Sequence, residues 1–188
     1  MARPRSDDKR NAIMSAAIRI IAAQGLGAPT ATIAREACVS NGSLFTYFET
    51  KADLLNQLYV ELKTEMAAAA MDGVPKDGSI REQTLHMWSH WLHWSASSPE
   101  KRRTLAHLGV SDDISAESRQ ITHQAMAGIA TLVERSRQAG AMRDAPLALV
   151  LSLMSAMADT TVDFMIKDPD NAERYCATAL DAAWRLLG

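Results

Sequence analysis

The segment from Thr30 to Lys51, TATIAREACVSNGSLFTYFETK, constrains this chain more than any other. Ile33, Ala34 and Ala37 put small and apolar side chains on one face of a short helix. A tight turn is expected at Cys38, Val39 and Ser40. A second short helix then runs from Asn41 to Phe48, with Leu44 and Phe48 one turn apart and facing inward. Asn41, Gly42, Ser43, Thr46 and Tyr47 are left toward solvent. This is the layout of a helix-turn-helix. Small polar groups on the outer side of its second helix suit entry into a DNA major groove and contact with phosphates.

Everything else also reads as helix. A first helix runs from Asp7 to Gln24, with Ile13, Ala17, Ile20 and Ile21 on one face and Gly25 as its stop. Thr50 can cap a long helix carrying Leu54, Leu55, Leu58, Tyr59, Leu62 and Met66. GVPKDG, Gly73 to Gly78, breaks the pattern, and Ser79 with Glu82 forms a capping box for the next helix. Ser98-Pro99 opens another, ending near Gly109. Ser115 caps a long helix expected to reach Gly140, Pro146 opens the next, and Asp168-Pro169 the last, to Leu187. No segment has strand period. The reading is all-α, about nine helices, with a helix-turn-helix domain at 1–52 and a helical body at 53–188.

The net charge of −2 argues against a nucleic-acid partner only until it is divided. Residues 1–51 carry seven basic and four acidic residues, a balance of +3, so the remainder carries −5. That asymmetry suits a DNA-reading head on an acidic body, although solvated surface charge explains it almost as well. The N-terminus MARPRSDDKR lacks an apolar signal core and no uncharged apolar run reaches membrane length, so a cytoplasmic protein without a membrane partner is expected. Two distant cysteines, Cys38 and Cys176, suggest neither a disulfide scaffold nor a metal site.

Residues 7–60 resemble the DNA-binding domain of the tetracycline-repressor (TetR) family of bacterial regulators. The resemblance rests on Gly25, on Thr30 with Ile33-Ala34, on Val39-Ser40, on Leu44-Phe45 with Tyr47-Phe48, and on Lys51 with Leu54. Cys38 departs from the family's usual Gly, and Phe45 from its usual Tyr, removing a phosphate-bonding hydroxyl. The resemblance implies DNA contacts from Thr30, Asn41, Gly42, Ser43, Phe45, Thr46, Tyr47 and Lys51, with Arg3 and Arg5 as a loose basic arm. It implies a homodimer on a palindromic double-stranded operator, usually a repressor released by a small-molecule effector, and no cofactor or metal.

The helix Ile80–Ser97 holds three of the four tryptophans and three of the five histidines. It reads either as the aromatic wall of a ligand pocket or as a core helix with a polar flank. The pocket reading takes Met87, Trp88 and Trp91, opposed by Met126 and Ile129 and by Met154, Met157 and Asp163. Asp159 and Asp163, one turn apart, either point into a pocket or merely solvate the helix, the blander reading being favoured. His86 and His90 have the spacing of two metal ligands on a helix, but a surface pair is the better reading. The apolar stripes of the last two helices suit the family's four-helix interface between subunits, through Leu151, Met154, Ala179 and Ala183. The alternative from another class is an all-helical metal- or His/Asp-dependent enzyme. No nucleophile–base arrangement or phosphate loop supports it, so the chain is read as no enzyme.

Overall fold

The computed structural model describes the backbone of residues 4–138 and 140–188 and side chains from Asp7 onward, Ala139 apart. The expected basic arm at Arg3 and Arg5 lies outside the described side chains. The helices are α1 (Pro4–Gln24), α2 (Thr30–Glu36), α3 (Asn41–Leu44), α4 (Lys51–Met71), α5 (Ile80–Ser97), α6 (Pro99–Gly109), α7 (Ala116–Ala125), α8 (Ala127–Arg137), α9 (Leu147–Lys167) and α10 (Ala172–Leu187). A 3-10 turn spans Pro169–Asn171, and no strand occurs among the described residues. The fold is all-α.

Local chemistry sets most of these boundaries. Gly25, at φ +74°, ends α1 with its N–H on the Ile21 carbonyl at 2.8 Å. Thr50 Oγ1 accepts from Asp53 N at 3.0 Å at the head of α4. Ser79 and Glu82 bond reciprocally before α5: Ser79 N donates to Glu82 Oε2 at 2.8 Å and Glu82 N to Ser79 Oγ at 3.3 Å. The backbone N–H of Ser79, foremost, holds the Glu82 carboxyl below its ordinary pKa.

The long helix expected from Ser115 to Gly140 is two helices. It breaks at Met126, whose φ of −85° and ψ of −2° leave the helical run. Gly128 follows, and a Cβ there would stand 3.5 Å from Met71 Cε, so α8 lies close against the end of α4. No side chain caps the start of α8 at this point.

By contact the chain forms two compact units, residues 1–63 with 98–122, and residues 64–97 with 123–188. The expected boundary at 52/53 falls in the first turn of α4, whose first half belongs with the helix-turn-helix.

The first unit is centred on Ile13, Ile21, Ile33, Leu44, Phe48, Leu54, Leu55 and Leu58, all essentially fully buried. Burying each such side chain contributes roughly 1.5–3 kcal/mol. α6 packs on α1, with Thr104 Oγ1 donating to the Ile18 carbonyl at 3.0 Å. Asn56 ties α4 to the segment before α7: its amide donates to the Asp113 carbonyl at 2.7 Å and accepts from Ser115 N at 2.8 Å.

The second unit has its own core, in which α5 supplies Met87, Trp88 and Leu92, α8 Ile129, Leu132 and Val133, and α9 Val150, Met154, Ala158, Val162 and Met165. α10 closes it with Cys176, Ala183 and Leu187. Buried Arg137 donates from Nη1 to the carbonyls of Met142, Arg143 and Ala145 at 2.9, 2.7 and 2.6 Å, pinning the loop before α9.

Candidate nucleic-acid interface

The turn between α2 and α3 is a Schellman motif. Val39 N donates to the Ala34 carbonyl at 2.9 Å and Cys38 N to the Arg35 carbonyl at 3.1 Å. Cys38 sits at its left-handed position with φ +56°, where a Cβ costs roughly 1–2 kcal/mol. Ser40 caps α3 by accepting from Ser43 N at 3.0 Å. The turn thus fixes the direction in which α3 leaves.

α3 is α-helical only through Leu44, not through Phe48. Beyond it the chain tightens, with Thr46 N on the Ser43 carbonyl at 3.1 Å and Tyr47 N on the Leu44 carbonyl at 3.0 Å. The inward pair is still Leu44 and Phe48, both 0 % exposed. Asn41, Gly42, Phe45 and Thr46 are exposed, whereas Ser43 and Tyr47 are half-buried. Thr46 donates its hydroxyl to the Ser43 carbonyl at 2.7 Å, leaving lone pairs and a methyl group outward. Thr30 opens α2 and is half-buried.

Lys51 has a structural duty that its sequence context did not signal. Its ammonium donates to the Leu26 carbonyl at 2.5 Å, bracing the loop between α1 and α2. A long-range tie of this kind leaves no mark on local spacing. Arg10 was likewise missed: it bonds Gln57 at 2.8 Å, pairs with Glu61 and lies over the Phe48 ring at 5.7 Å.

In the second unit the residues expected to wall a ligand pocket are divided. Met87, Trp88, Ile129 and Met154 are core residues at 0 to 4 % exposure; Trp91, Met126 and Met157 pack half-buried against that core. Asp163 is exposed, one α9 face away from Met154, and does not join them. One polar atom in this core stands out. Trp88 Nε1 is fully buried and meets no acceptor. A buried donor left unpaired costs roughly 1–3 kcal/mol.

An open groove of about 670 Å³ lies instead on the outer side of α9 and α10, lined by Leu153, Ala156, Met157, Thr160, Phe164, Tyr175, Ala179, Ala182 and Leu186 among others. Of the residues expected at an interface between subunits, Met154 and Ala183, at 1 and 2 % exposure, belong to the chain's own core. Ala179 lines the groove, and Leu151 is half-buried beside the core. α9 is long and apolar enough to cross a membrane by composition, with a mean hydropathy of 1.5, because it is apolar on both its core side and this outer side.

The histidines of α5 are engaged as a stacked pair and a single ion-pairing ring. His86 Nε2 lies 2.8 Å from the Asp72 carbonyl, and its ring stacks on His90 at 4.0 Å. His93 reaches Glu173 at 2.9 Å and the Ser89 carbonyl at 2.8 Å; the Glu173 bond foremost raises its pKa. No group of three metal-ligating side chains gathers among the described residues.

A three-helix head presenting a short polar helix, followed by a helical body, is the architecture of a DNA-binding regulator. Residues 13–58 match the family described as bacterial regulatory proteins, tetR family. Over nearly the whole chain the fold is similar to a putative tetR-family transcription regulator from Shewanella sp. PV-4 (TM-score 0.82, 26 % identity, covering 94 % of this chain and 96 % of that one). It is also similar to a TetR-family regulator from Marinobacter aquaeolei VT8 (TM-score 0.86, 23 % identity, 97 and 96 % covered). A more distant likeness is the transcriptional regulator FadR from Bacillus subtilis, solved with stearoyl-CoA (TM-score 0.68, 17 % identity, 92 and 96 % covered). Residues 13–58 thus carry the helix-turn-helix of that family, and the chain over nearly its whole length has the fold of tetR-family transcription regulators.

Proposed function

We propose that this regulator is a cytoplasmic homodimeric repressor: residues 1–52 read a palindromic operator, and residues 53–188 dimerise and hold a small apolar effector that releases the DNA. The observation that carries the DNA reading is the capped α3, which buries Leu44 and Phe48 and holds Asn41, Phe45 and Thr46 outward. Asn41 and Thr46 offer hydrogen-bonding groups to base edges, Tyr47 and Thr30 reach phosphates, and Gly42 lets the backbone approach closely. Lys51 serves mainly to hold the head's shape. Two such heads on a two-fold axis imply two half-sites.

The outer groove of α9 and α10 supports the dimer. It is open and apolar, and it carries both knobs (Phe164, 53 % exposed, and Leu153, 38 %) and small hollows (Ala156, Ala182) on one surface, so a second copy related by a two-fold axis can fill it. The effector reading rests on Trp88. An apolar molecule entering between α5, α8 and α9 would find methionines able to repack and one unpaired donor awaiting an acceptor. FadR, of the same fold, holds an acyl-CoA, which makes a long apolar chain a fitting class. An effector acts only if it binds the DNA-free form more tightly than the DNA-bound one.

The deciding experiment is to sequence genomic fragments retained by the purified protein and titrate the retained complex with compounds suggested by neighbouring genes. Retention of one palindromic sequence, lost on adding a compound that quenches tryptophan fluorescence over the same range, is the expected result. Indiscriminate retention of all duplexes would overturn the operator reading.

A further inference from the structure

Two aromatic rings stand exposed among the described residues, Phe164 at 53 % and Phe45 at 40 %. Phe164 lies in the α9–α10 groove. Phe45 has no such setting. It follows α3 directly, and its N–H lies 3.3 Å from the Asn41 carbonyl, so the two residues stand one turn apart on the outward side. Leu44 and Phe48 already fill the inward side at 0 % exposure, so the core has no room for this ring. Phe45 carries no hydroxyl to donate to a phosphate and no acceptor for a base edge.

We infer that Phe45 is a specificity residue which packs its ring against the 5-methyl group of a thymine, beside a base read by the Asn41 amide. In the major groove the thymine methyl is the apolar feature that distinguishes a base pair, and an aliphatic or aromatic side chain is what reads it. An asparagine amide pairs with adenine N6 and N7. Side by side on one turn, the two groups favour an A/T-containing step in each half-site; the outward methyl of Thr46 is the rival reader of a thymine, and the Phe45→Ala variant separates the two. The inference rests on α3 entering the major groove.

The test uses the full-length protein and an operator selected from random duplexes. Each thymine is replaced in turn by deoxyuridine, which removes the methyl group and leaves pairing unchanged. At one thymine per half-site the wild-type affinity should fall about 3–5-fold, the worth of one buried methyl group. Phe45→Ala should bind the parent operator correspondingly more weakly and show no further loss with deoxyuridine at that position. Phe45→Tyr, which keeps the ring, should keep the sensitivity. If the protein selects an operator yet no deoxyuridine position matters, or Phe45→Ala remains equally sensitive, the inference is overturned while the operator reading stands. If no sequence is selected at all, both fall.

Discussion

Cys38 shows a side chain tolerated where the backbone favours glycine. Both hydrogen bonds of the turn form around it at φ +56°, so its strain is offset by the packing of α2 and α3 on their shared core. Cys38→Gly should therefore stabilise the first unit, by about 1 kcal/mol after glycine's greater unfolded-state entropy is deducted. Urea unfolding followed by circular dichroism reads this directly, and a lowered midpoint would contradict the strain assigned to the turn. Lys51 makes the opposite case. Its bond to the Leu26 carbonyl gives it a role before any DNA is present. Lys51→Met, which keeps the aliphatic stem, should cost about 1 kcal/mol of stability and weaken all duplexes alike. Asn41→Ala should leave stability unchanged and alter the ranking among duplex sequences, as competition binding would reveal.

α9 turns on its phase. Adjacent residues of a helix differ by about 100° in direction, so an assignment wrong by one residue exchanges core for surface. Met154 faces the core and Leu153 the outer groove. Met154→Asp should bury an unpaired charge and unfold the second unit, a loss on the order of 4 kcal/mol. Leu153→Asp should leave the helix content and melting of the chain intact while reducing the light-scattering mass from two chains to one. A dimer that survives Leu153→Asp and Ala182→Glu together would exclude this groove as the interface. Between α5 and α10, the His93–Glu173 bond makes stability pH-dependent. The folded state favours the protonated imidazole, so its contribution is complete below the ordinary histidine value of about 6.5 and fades as pH rises through the raised value. His93→Gln should flatten the melting temperature across that window, whereas the acid-side loss governed by Glu82, whose carboxyl is held low, should persist.

In the whole molecule, Trp88 and its methionine neighbours are closely packed in the core of the second unit, so the proposed effector has to enter by displacing them. Trp88→Phe should preserve fold and operator binding while weakening the effector about 10-fold, the worth of one buried hydrogen bond; isothermal titration with the compound that releases the operator checks it. An unchanged effector affinity would move the site elsewhere. Much of this architecture was legible in the sequence, because its determinants are local. Apolar spacing of three and four residues specifies helices, Thr50 and the Ser79–Glu82 pair specify their starts, and Gly25 specifies a stop. The chain from Thr30 to Lys51 carries its helix-turn-helix in contiguous residues. What the tertiary structure alone decided depends on partners remote in sequence. The chain leaves the helical run at Met126, beside a Gly128 that lies close to the tip of Met71, and one expected helix becomes two. Thr104 on Ile18 places α6 with the reading head, and Leu26 claims Lys51. α9 and α10 are apolar on more than one side, so their periodicity cannot choose which side is core; only the packing of α5 and α8 turns Met154 and Ala183 inward and leaves Leu153, Phe164 and Ala182 lining the outer groove.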